Sequence, residues 1–340
     1  TVGADLSGKN FDNLNLQNAV FDKTDLSNTS FKNANIDDAR FLFADLSNTD
    51  LSGHNLTETI LIGANLSNAN LANTILKGAD LSYVNLAGVD LSGKDLTGTI
   101  LKEVDLSYSN LSGVNLVNID LIYANLTGVD LSGKDLTGAQ LGHTNLADAN
   151  LENVKLTMAS LVNVDLTKIK NKSLAGSDLS GTSFAHSNLS GVNLAGVILH
   201  TTNFWKADLS GQDFTVTDVI TNGLSFIDAN LSNSNFEGVD LSPKNSFFKV
   251  FKDKAHLMSD GTLTPKDEAM IRDNLFGVFP YIFLMSAEVR ENDLVVSFVS
   301  YNTFKSANLE NANFKDANLR YANFYQANLT NADLSGADLR

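Results

Sequence analysis

Three short segments pair a glycine with a following cationic residue, and they recur every forty residues: Gly53 with His54, Gly93 with Lys94, and Gly133 with Lys134. Imidazole and ammonium groups can hold an anion, so one interpretation is a ligand site built on the three cations. The other is structural. An unpaired buried Lys is costly, and glycine opens backbone conformations that are closed to other residues. We therefore expect altered corners of the chain that turn the polar side chain toward solvent.

Other candidates for catalysis are scattered along the chain. The five histidines lie far apart in sequence, at positions 54, 143, 186, 200 and 256, and there is no cysteine. The sequence contains no Gly-rich phosphate-binding loop, no His-Glu-x-x-His zinc motif and no Gly-x-Ser-x-Gly nucleophile turn. The repeated Asp5, Asp25 and Asp45 could hold a cation weakly, but Asn65 and Asn85 interrupt the series. We therefore expect no enzyme activity, no cofactor and no metal site.

A large apolar residue recurs at every fifth position from Leu6 to Leu166. All 33 occupants are Leu, Phe or Ile, and none is polar. A small or β-branched residue usually stands two places earlier, and Asp or Asn often stands directly before. A period of five matches neither an α-helix nor an ordinary strand, and fixed self-similarity is typical of a repeat architecture.

Short repeats become stable by stacking on neighbours that present the same residues. If four five-residue sides close one coil of 20 residues, the Leu or Phe and the small residue point inward, and Phe11 stacks on Phe31. The sequence resembles the pentapeptide-repeat family, whose motif A-(D/N)-L-x-x stands here as ADLSG at 4–8, ANLSN at 64–68 and ADLSG at 332–336. The resemblance implies a right-handed four-sided β-helix, an all-β solenoid of about 14 coils stacked at the ~4.8 Å strand spacing.

The repeat divides the chain into three segments. We predict a pentapeptide-repeat β-helix over 1–241, a small inserted α+β domain over 242–303, and a return of the same solenoid over 304–340. Within the insertion, Thr264 and Pro265 are typical of a helix start near 265, and the apolar run 294–301 predicts a strand. Register also slips after Leu166 and near 222–224, which we interpret as loops that bulge from one coil.

One of the four predicted sides carries large apolar residues on its outer surface. We call this set the apolar face, and its members are Val20, Leu42, Phe43, Ile60, Ile62, Tyr83, Ile100, Ile122, Tyr123 and Val162. If the two register slips are bulges, the same side continues through Trp205, Ile227 and Tyr325. An apolar surface of this size usually meets a partner. The alternative is that the bulky residues only improve local β-packing.

Charge and composition limit the partners. The net charge of −15 argues against nucleic acid bound through its phosphates, and no segment is apolar over the ~20 residues of a membrane span. The chain starts with Thr rather than Met, which favours a processed protein that is exported or lies at the cell surface.

We expect a non-catalytic, rigid scaffold for protein–protein association, either with itself or with another protein. Contact would occur through the apolar face, through uncapped ends of the solenoid, or through both. A second hypothesis, implied by the family resemblance, is a DNA mimic that inhibits or protects a topoisomerase such as gyrase. However, ~65 Å of duplex would carry ~38 charges, far more than this chain. A third hypothesis is a spacer that presents the insertion as a partner-binding head.

Overall fold

The computed structural model describes residues 2–57, 59–217, 223–242, 246–251, 282–290, 293–300 and 302–340, with the backbone alone described for the strands between 246 and 300. The chain divides into two compact units. Unit 1 comprises Thr1–Lys155 and Ala159–Ser173, and unit 2 comprises Leu156–Met158 and Leu174–Arg340. Each unit is described by itself below.

Unit 1 is a β-helix with twenty residues in each coil. Parallel bridges join positions twenty residues apart in a continuous series, from Asp5 to Asp25, Asp45 and Asn65 and on to Asn145. Each coil therefore consists of four five-residue sides. Two one-turn 3-10 helices, Leu166–Lys168 and Lys170–Lys172, occupy the segment after Leu166 where the sequence predicts a bulge.

A tight turn makes each corner. In the corner at 6–9 the Lys9 amide donates to the Leu6 carbonyl oxygen at 3.2 Å, and Gly8 has a φ of +65°. A positive φ at the third turn residue is typical of a type II turn and favours Gly or Asn. The Asp5 carboxylate accepts the Ser7 amide at 3.0 Å, which fixes the entry to the turn. The Asp or Asn before each large apolar residue and the Gly or Asn after it are therefore turn residues.

The core contains the large apolar residues and the small residues two places before them. Leu26 and Ala64 are completely buried. Identical rings stack from coil to coil as predicted: the ring centroids of Phe11 and Phe31 lie 5.1 Å apart with planes 10° from parallel.

Unit 2 repeats this architecture with longer sequence separations. Ser183 pairs with Asn203, Asn203 pairs with Ser225 after a separation of 22, and Ser225 pairs with Thr303 across the inserted segment. Inside, the Phe204 and Phe226 rings stack at 5.3 Å, and the Phe226 and Phe304 rings stack at 5.0 Å.

The inserted segment contains a three-stranded antiparallel sheet. Its strands are β1 (Ser246–Phe251), β2 (Ile282–Arg290) and β3 (Asp293–Ser300), and β3 lies between the other two. β3 covers the predicted strand 294–301 except for its last residue. The helix predicted to start near 265 lies outside the described residues. In the described part of the chain, no helix is long and apolar enough to cross a membrane.

Candidate interaction face

The apolar face forms one side of unit 1, over the inward column that begins with Phe21 and Phe41. Six of its ten residues are exposed: Val20, Phe43, Ile60, Tyr83, Ile100 and Tyr123. The other four, Leu42, Ile62, Ile122 and Val162, are half-buried. Among the described residues between positions 11 and 163, the other three sides together expose five large apolar residues: Leu14, Ile75, Tyr108, Val117 and Met158. The structure therefore concentrates exposed apolar surface on the side that carries the predicted residues.

Three rings form a row on the apolar face. Phe43, Tyr83 and Tyr123 each occupy the third turn residue of a corner, and each lies two coils from the next, a spacing of about 9.6 Å. Their φ angles are +54°, +62° and +62°. Left-handed backbone costs a non-glycine residue roughly 1–2 kcal/mol, and Asn or Gly avoids that cost at most other corners. These rings therefore occupy positions that the turn itself does not favour.

The next coil supports each ring. Phe43 lies over Gly63, where a Cβ atom would meet the ring carbons. The Lys102 Nζ lies 5.6 Å from the centre of the Tyr83 ring, and its hydrogen bond to the Tyr83 hydroxyl raises the pKa of Lys102. Tyr123 stacks on His143 with ring centroids 4.6 Å apart and planes 18° from parallel. The row is thus held by contacts within unit 1.

The apolar face is nearly neutral in a strongly acidic chain. Between positions 20 and 163 its outward positions carry four acidic residues and three basic ones, a net charge of −1: Asp22, Asp80, Glu103 and Asp120 against Lys23, Arg40 and Lys102. Arg40 is paired with Asp22 at 2.8 Å. On the side that begins with Asp5, the outward positions from 5 to 148 carry five acidic residues and no basic one: Asp5, Asp25, Asp45, Asp105 and Asp148. A protein surface can approach the apolar face with little electrostatic cost.

Unit 2 contains the remaining predicted face residues. Trp205 is 40% exposed, and its indole N–H donates to Asp228 at 3.2 Å while the Lys206 ammonium lies 4.9 Å from its ring centre. Tyr325 is exposed with Lys305 above its ring, and Ile227 is half-buried. These side chains form a mixed aromatic and charged surface rather than an apolar one.

The prediction that Gly53, Gly93 and Gly133 form altered corners, which turn the following polar side chain toward solvent, is wrong. Gly53, Gly93 and Gly133 have φ angles of +78°, +66° and +65°, similar to the values at ordinary glycine corners of unit 1, so these corners are not altered. His54 is 8% exposed rather than turned toward solvent. Lys94 and Lys134 are half-buried.

Carbonyl oxygens of the preceding coil explain why the inward position accepts the polar side chains of His54 and Lys94. The His54 Nε2 lies 3.2 Å from the Ala34 carbonyl oxygen, and the Lys94 Nζ donates to the Thr74 carbonyl oxygen at 3.1 Å. Burial lowers the pKa of Lys94, and the charge of Asp90 opposes that change. His54 and Lys94 contact carbonyl oxygens in different coils, and Lys134 lies two coils beyond Lys94, so the three side chains do not converge on one ligand site.

Sequence reasoning did not detect the two-coil spacing of the ring row, although the forty-residue recurrence of large aromatic residues at one turn position was a visible signal.

For metal binding, no group of three or more His, Asp or Glu side chains comes together among the described residues.

Comparison with curated proteins gave no significant match. Comparison with solved structures matched HetL, a pentapeptide repeat protein involved in heterocyst differentiation regulation from the cyanobacterium Nostoc sp., at 21% identity over 98% of this chain and 89% of that one, with a TM-score of 0.17. QnrB1, a plasmid-mediated fluoroquinolone resistance protein, matched at 17% identity over 69% of this chain and 84% of that one, with a TM-score of 0.16. A pentapeptide repeat protein from the Arabidopsis thaliana thylakoid lumen matched at 23% identity over 45% and 68%, with a TM-score of 0.10.

The family model described as pentapeptide repeats (8 copies) matches most of the chain, in overlapping segments that together cover 2–133, 135–170, 177–215 and 304–340. These segments contain the five-residue period and the coils that the structure builds from it. The chain therefore belongs to the pentapeptide-repeat family, and its repeats form the right-handed β-helix of that family.

Proposed function

We propose that this protein is a non-catalytic β-solenoid scaffold that associates with a protein partner through the apolar face. The observation that carries the proposal is the row of Phe43, Tyr83 and Tyr123 on the side of unit 1 with the smallest net charge, with all three rings exposed. Exposed aromatic residues at the centre of an apolar patch are the side chains that contribute most to protein–protein binding.

The proposal also includes the division of the chain into a solenoid and an inserted domain. We propose that 1–241 and 304–340 belong to one solenoid of about 14 coils at the ~4.8 Å strand spacing, interrupted by an inserted domain over 242–303. The pairing of Asn230 with Asn308 and of Asn235 with Asn313 supports this organisation, because it stacks the coil after the insertion on the coil before it.

One acidic column of unit 1 is much less densely charged than DNA, which does not favour DNA mimicry. In this column Asp alternates with Asn: Asp50, Asn70, Asp90, Asn110, Asp130 and Asn150. The Asn70 and Asn110 amides donate to the Asp50 and Asp90 carboxylates at 2.9 Å. Each carboxylate in this column thus lies about 9.6 Å from the next, whereas duplex DNA carries one charge per ~1.7 Å.

The test is a variant with three substitutions on the apolar face, Ile60→Asp, Ile100→Asp and Ile122→Asp. The fold should tolerate all three, since Asp80 and Asp120 occupy the position of Ile60 and Ile100 in other coils, and Asp22 occupies that of Ile122. The matched control makes the same change of charge on other sides, through Ile75→Asp, Tyr108→Asp and Val117→Asp.

Both variants and the parent are compared by sedimentation velocity and by quantitative capture of proteins from extracts of the source cells. We expect the face variant to lose an association that the parent and the control retain. If all three proteins behave alike in both measurements while circular dichroism shows the same fold, the apolar face is not an association surface.

A further inference from the structure

We propose that the occupant of the apolar face is a second copy of this chain, packed antiparallel about a two-fold axis that passes beside Tyr83. The inference rests on the proposed function of the face and names its partner. It follows from the spacing of the rings, the order of the charges along the face, and the length of the face.

Ring spacing is the first argument. Phe43, Tyr83 and Tyr123 recur at two-coil intervals of about 9.6 Å, and only a partner with the same interval meets all three in the same way. A second copy has that interval by construction. With a two-fold axis at Tyr83, the Tyr83 rings meet each other, and Phe43 meets Tyr123 of the partner subunit. The contact is isologous, which is the commonest arrangement in homo-oligomers.

Charge order is the second argument. One end of the apolar face carries Asp22, Lys23 and Arg40, a net charge of +1, and the other carries Lys102, Glu103 and Asp120, a net charge of −1. Arg40 and Asp120 occupy the same column, in the coils of Phe43 and Tyr123. Antiparallel packing therefore brings Arg40 opposite the partner's Asp120 and Ile60 opposite the partner's Ile100. It also brings Asp80 opposite the partner's Asp80, which is the one like-charge contact in this column.

Parallel packing about a two-fold axis along the solenoid is less favourable. Each residue of the Arg40 column would then meet the ring column of the other copy at the same height. Asp80 would lie against the partner's Tyr83, and Glu103 would lie against the partner's Ile100. A carboxylate that is buried against the face of an aromatic ring or against an aliphatic side chain is unfavourable, because neither group can pair with its charge.

The area of the apolar face limits the strength of the dimer, and the net charge of each side of unit 1 favours contact through this one. The eight coils of the apolar face span about 34 Å, and one side of a coil is about 10 Å wide. The contact is smaller than the ~800 Å² per partner of a standard interface, so the dimer should be weak and in rapid exchange. The other sides of unit 1 are more acidic, so a second copy meets the least repulsion on this one.

Single-cysteine variants test the arrangement directly, because the chain contains no cysteine. Lys23→Cys and His143→Cys place thiols on the margin of the apolar face, three coils on either side of Tyr83. In the antiparallel dimer Cys at 23 of one copy faces Cys at 143 of the other, while two Cys at 23 lie about 29 Å apart. Asn28→Cys and Asp148→Cys are the controls, since both exposed residues lie at similar heights on a different side.

Each variant alone and each pair mixed are treated with a short bismaleimide, after sedimentation velocity has set a concentration at which dimer is present. We expect cross-linked dimer from the mixture of the 23 and 143 variants, at least tenfold above the amount from either alone or from the control pair. Cross-linking of the 23 variant with itself would overturn the antiparallel arrangement.

Failure of this inference can be distinguished from failure of the proposed function. If the parent remains a monomer at every concentration, and the Ile60, Ile100 and Ile122 triple variant loses a different captured protein, the second copy is wrong while the association face stands. If neither dimer nor a face-dependent partner is found, both proposals are wrong.

Discussion

The ring of Phe43 lies over Gly63, which occupies the same turn position one coil later. The glycine leaves space that a Cβ atom would fill, and it also has a φ of +69°. One residue thus supports an aromatic side chain on the apolar face by having no side chain of its own. The same relationship recurs on another side, where Tyr108 lies over Gly128.

We predict that Gly63→Ala destabilises the protein more than Gly53→Ala. Both glycines have positive φ, so each substitution costs roughly 1–2 kcal/mol of backbone strain. Only the alanine at 63 also displaces the Phe43 ring, because nothing lies within 4 Å of a Cβ atom at 53. Urea denaturation followed by circular dichroism measures both. Equal shifts of the midpoint would show that the ring does not depend on the glycine.

A second prediction concerns the stacked rings inside unit 2. Phe226 is completely buried between Phe204 and Phe304. Phe226→Ala should lower the free energy of unfolding by about 3–5 kcal/mol through loss of buried area and the cavity left behind. Phe226→Leu should cost less, since Leu fills the inward position of most other coils. The fluorescence of Trp205, the single tryptophan, reports on this unit. A smaller loss for Ala than for Leu would contradict the packing.

Acid should destabilise the fold through the turn carboxylates. Hydrogen bonds from the amide and hydroxyl of Ser92 lower the pKa of Asp90 below its ordinary 3.8, and those from Ser132 do the same for Asp130. A group with a lowered folded-state pKa contributes stability above the unfolded value and loses it as pH falls through the folded value. The melting temperature should therefore decrease as the pH is lowered below about 3.8.

The double variant Asp90→Asn and Asp130→Asn isolates this effect from overall charge repulsion. Asparagine keeps the turn bond, as Asn110 does by accepting the Ser112 amide at 3.0 Å. The melting temperature of the variant should fall less steeply than that of the parent between pH 3.8 and pH 2. Parallel curves would show that these two carboxylates carry no pH-dependent stability.

Asp80→Asn should tighten the antiparallel dimer. Asp80 lies in the coil of the two-fold axis, so the dimer brings it opposite its own copy, and like charges at short distance oppose association. The Asp80 side chain accepts the Ser82 amide at 2.9 Å, and Asn85 accepts the Ala87 amide in the same way, so the turn survives the substitution. Sedimentation equilibrium should show a dissociation constant several-fold below that of the parent. An unchanged or weaker dimer would place the axis elsewhere.

Much of the fold follows from the five-residue period, since a single inward residue per side fixes both the coil length and the Phe stacks. The corners at His54 and Lys94 were predicted wrongly for a physical reason. Their hydrogen-bond acceptors are the carbonyl oxygens of Ala34 and Thr74, twenty residues earlier, and the local sequence gives no sign of them. Burying a polar or charged side chain costs much less free energy when a hydrogen-bond acceptor, such as these carbonyl oxygens, is available.

The residues of the apolar face could be predicted from the sequence, but their backbone conformation and supporting contacts could not. Sorting outward positions by side identified Phe43, Tyr83 and Tyr123, whereas their left-handed backbone and their support by Gly63, Lys102 and His143 depend on coil-to-coil contacts. The inserted segment has no repeat from which register could be inferred, and of its predicted elements the structure describes β3.

Sedimentation velocity across a hundredfold range of concentration tests the central claim most directly. The parent and the control variant at Ile75, Tyr108 and Val117 should both shift from monomer toward dimer as concentration rises. The variant at Ile60, Ile100 and Ile122 should remain a monomer throughout. An identical concentration dependence in all three proteins would contradict association through the apolar face.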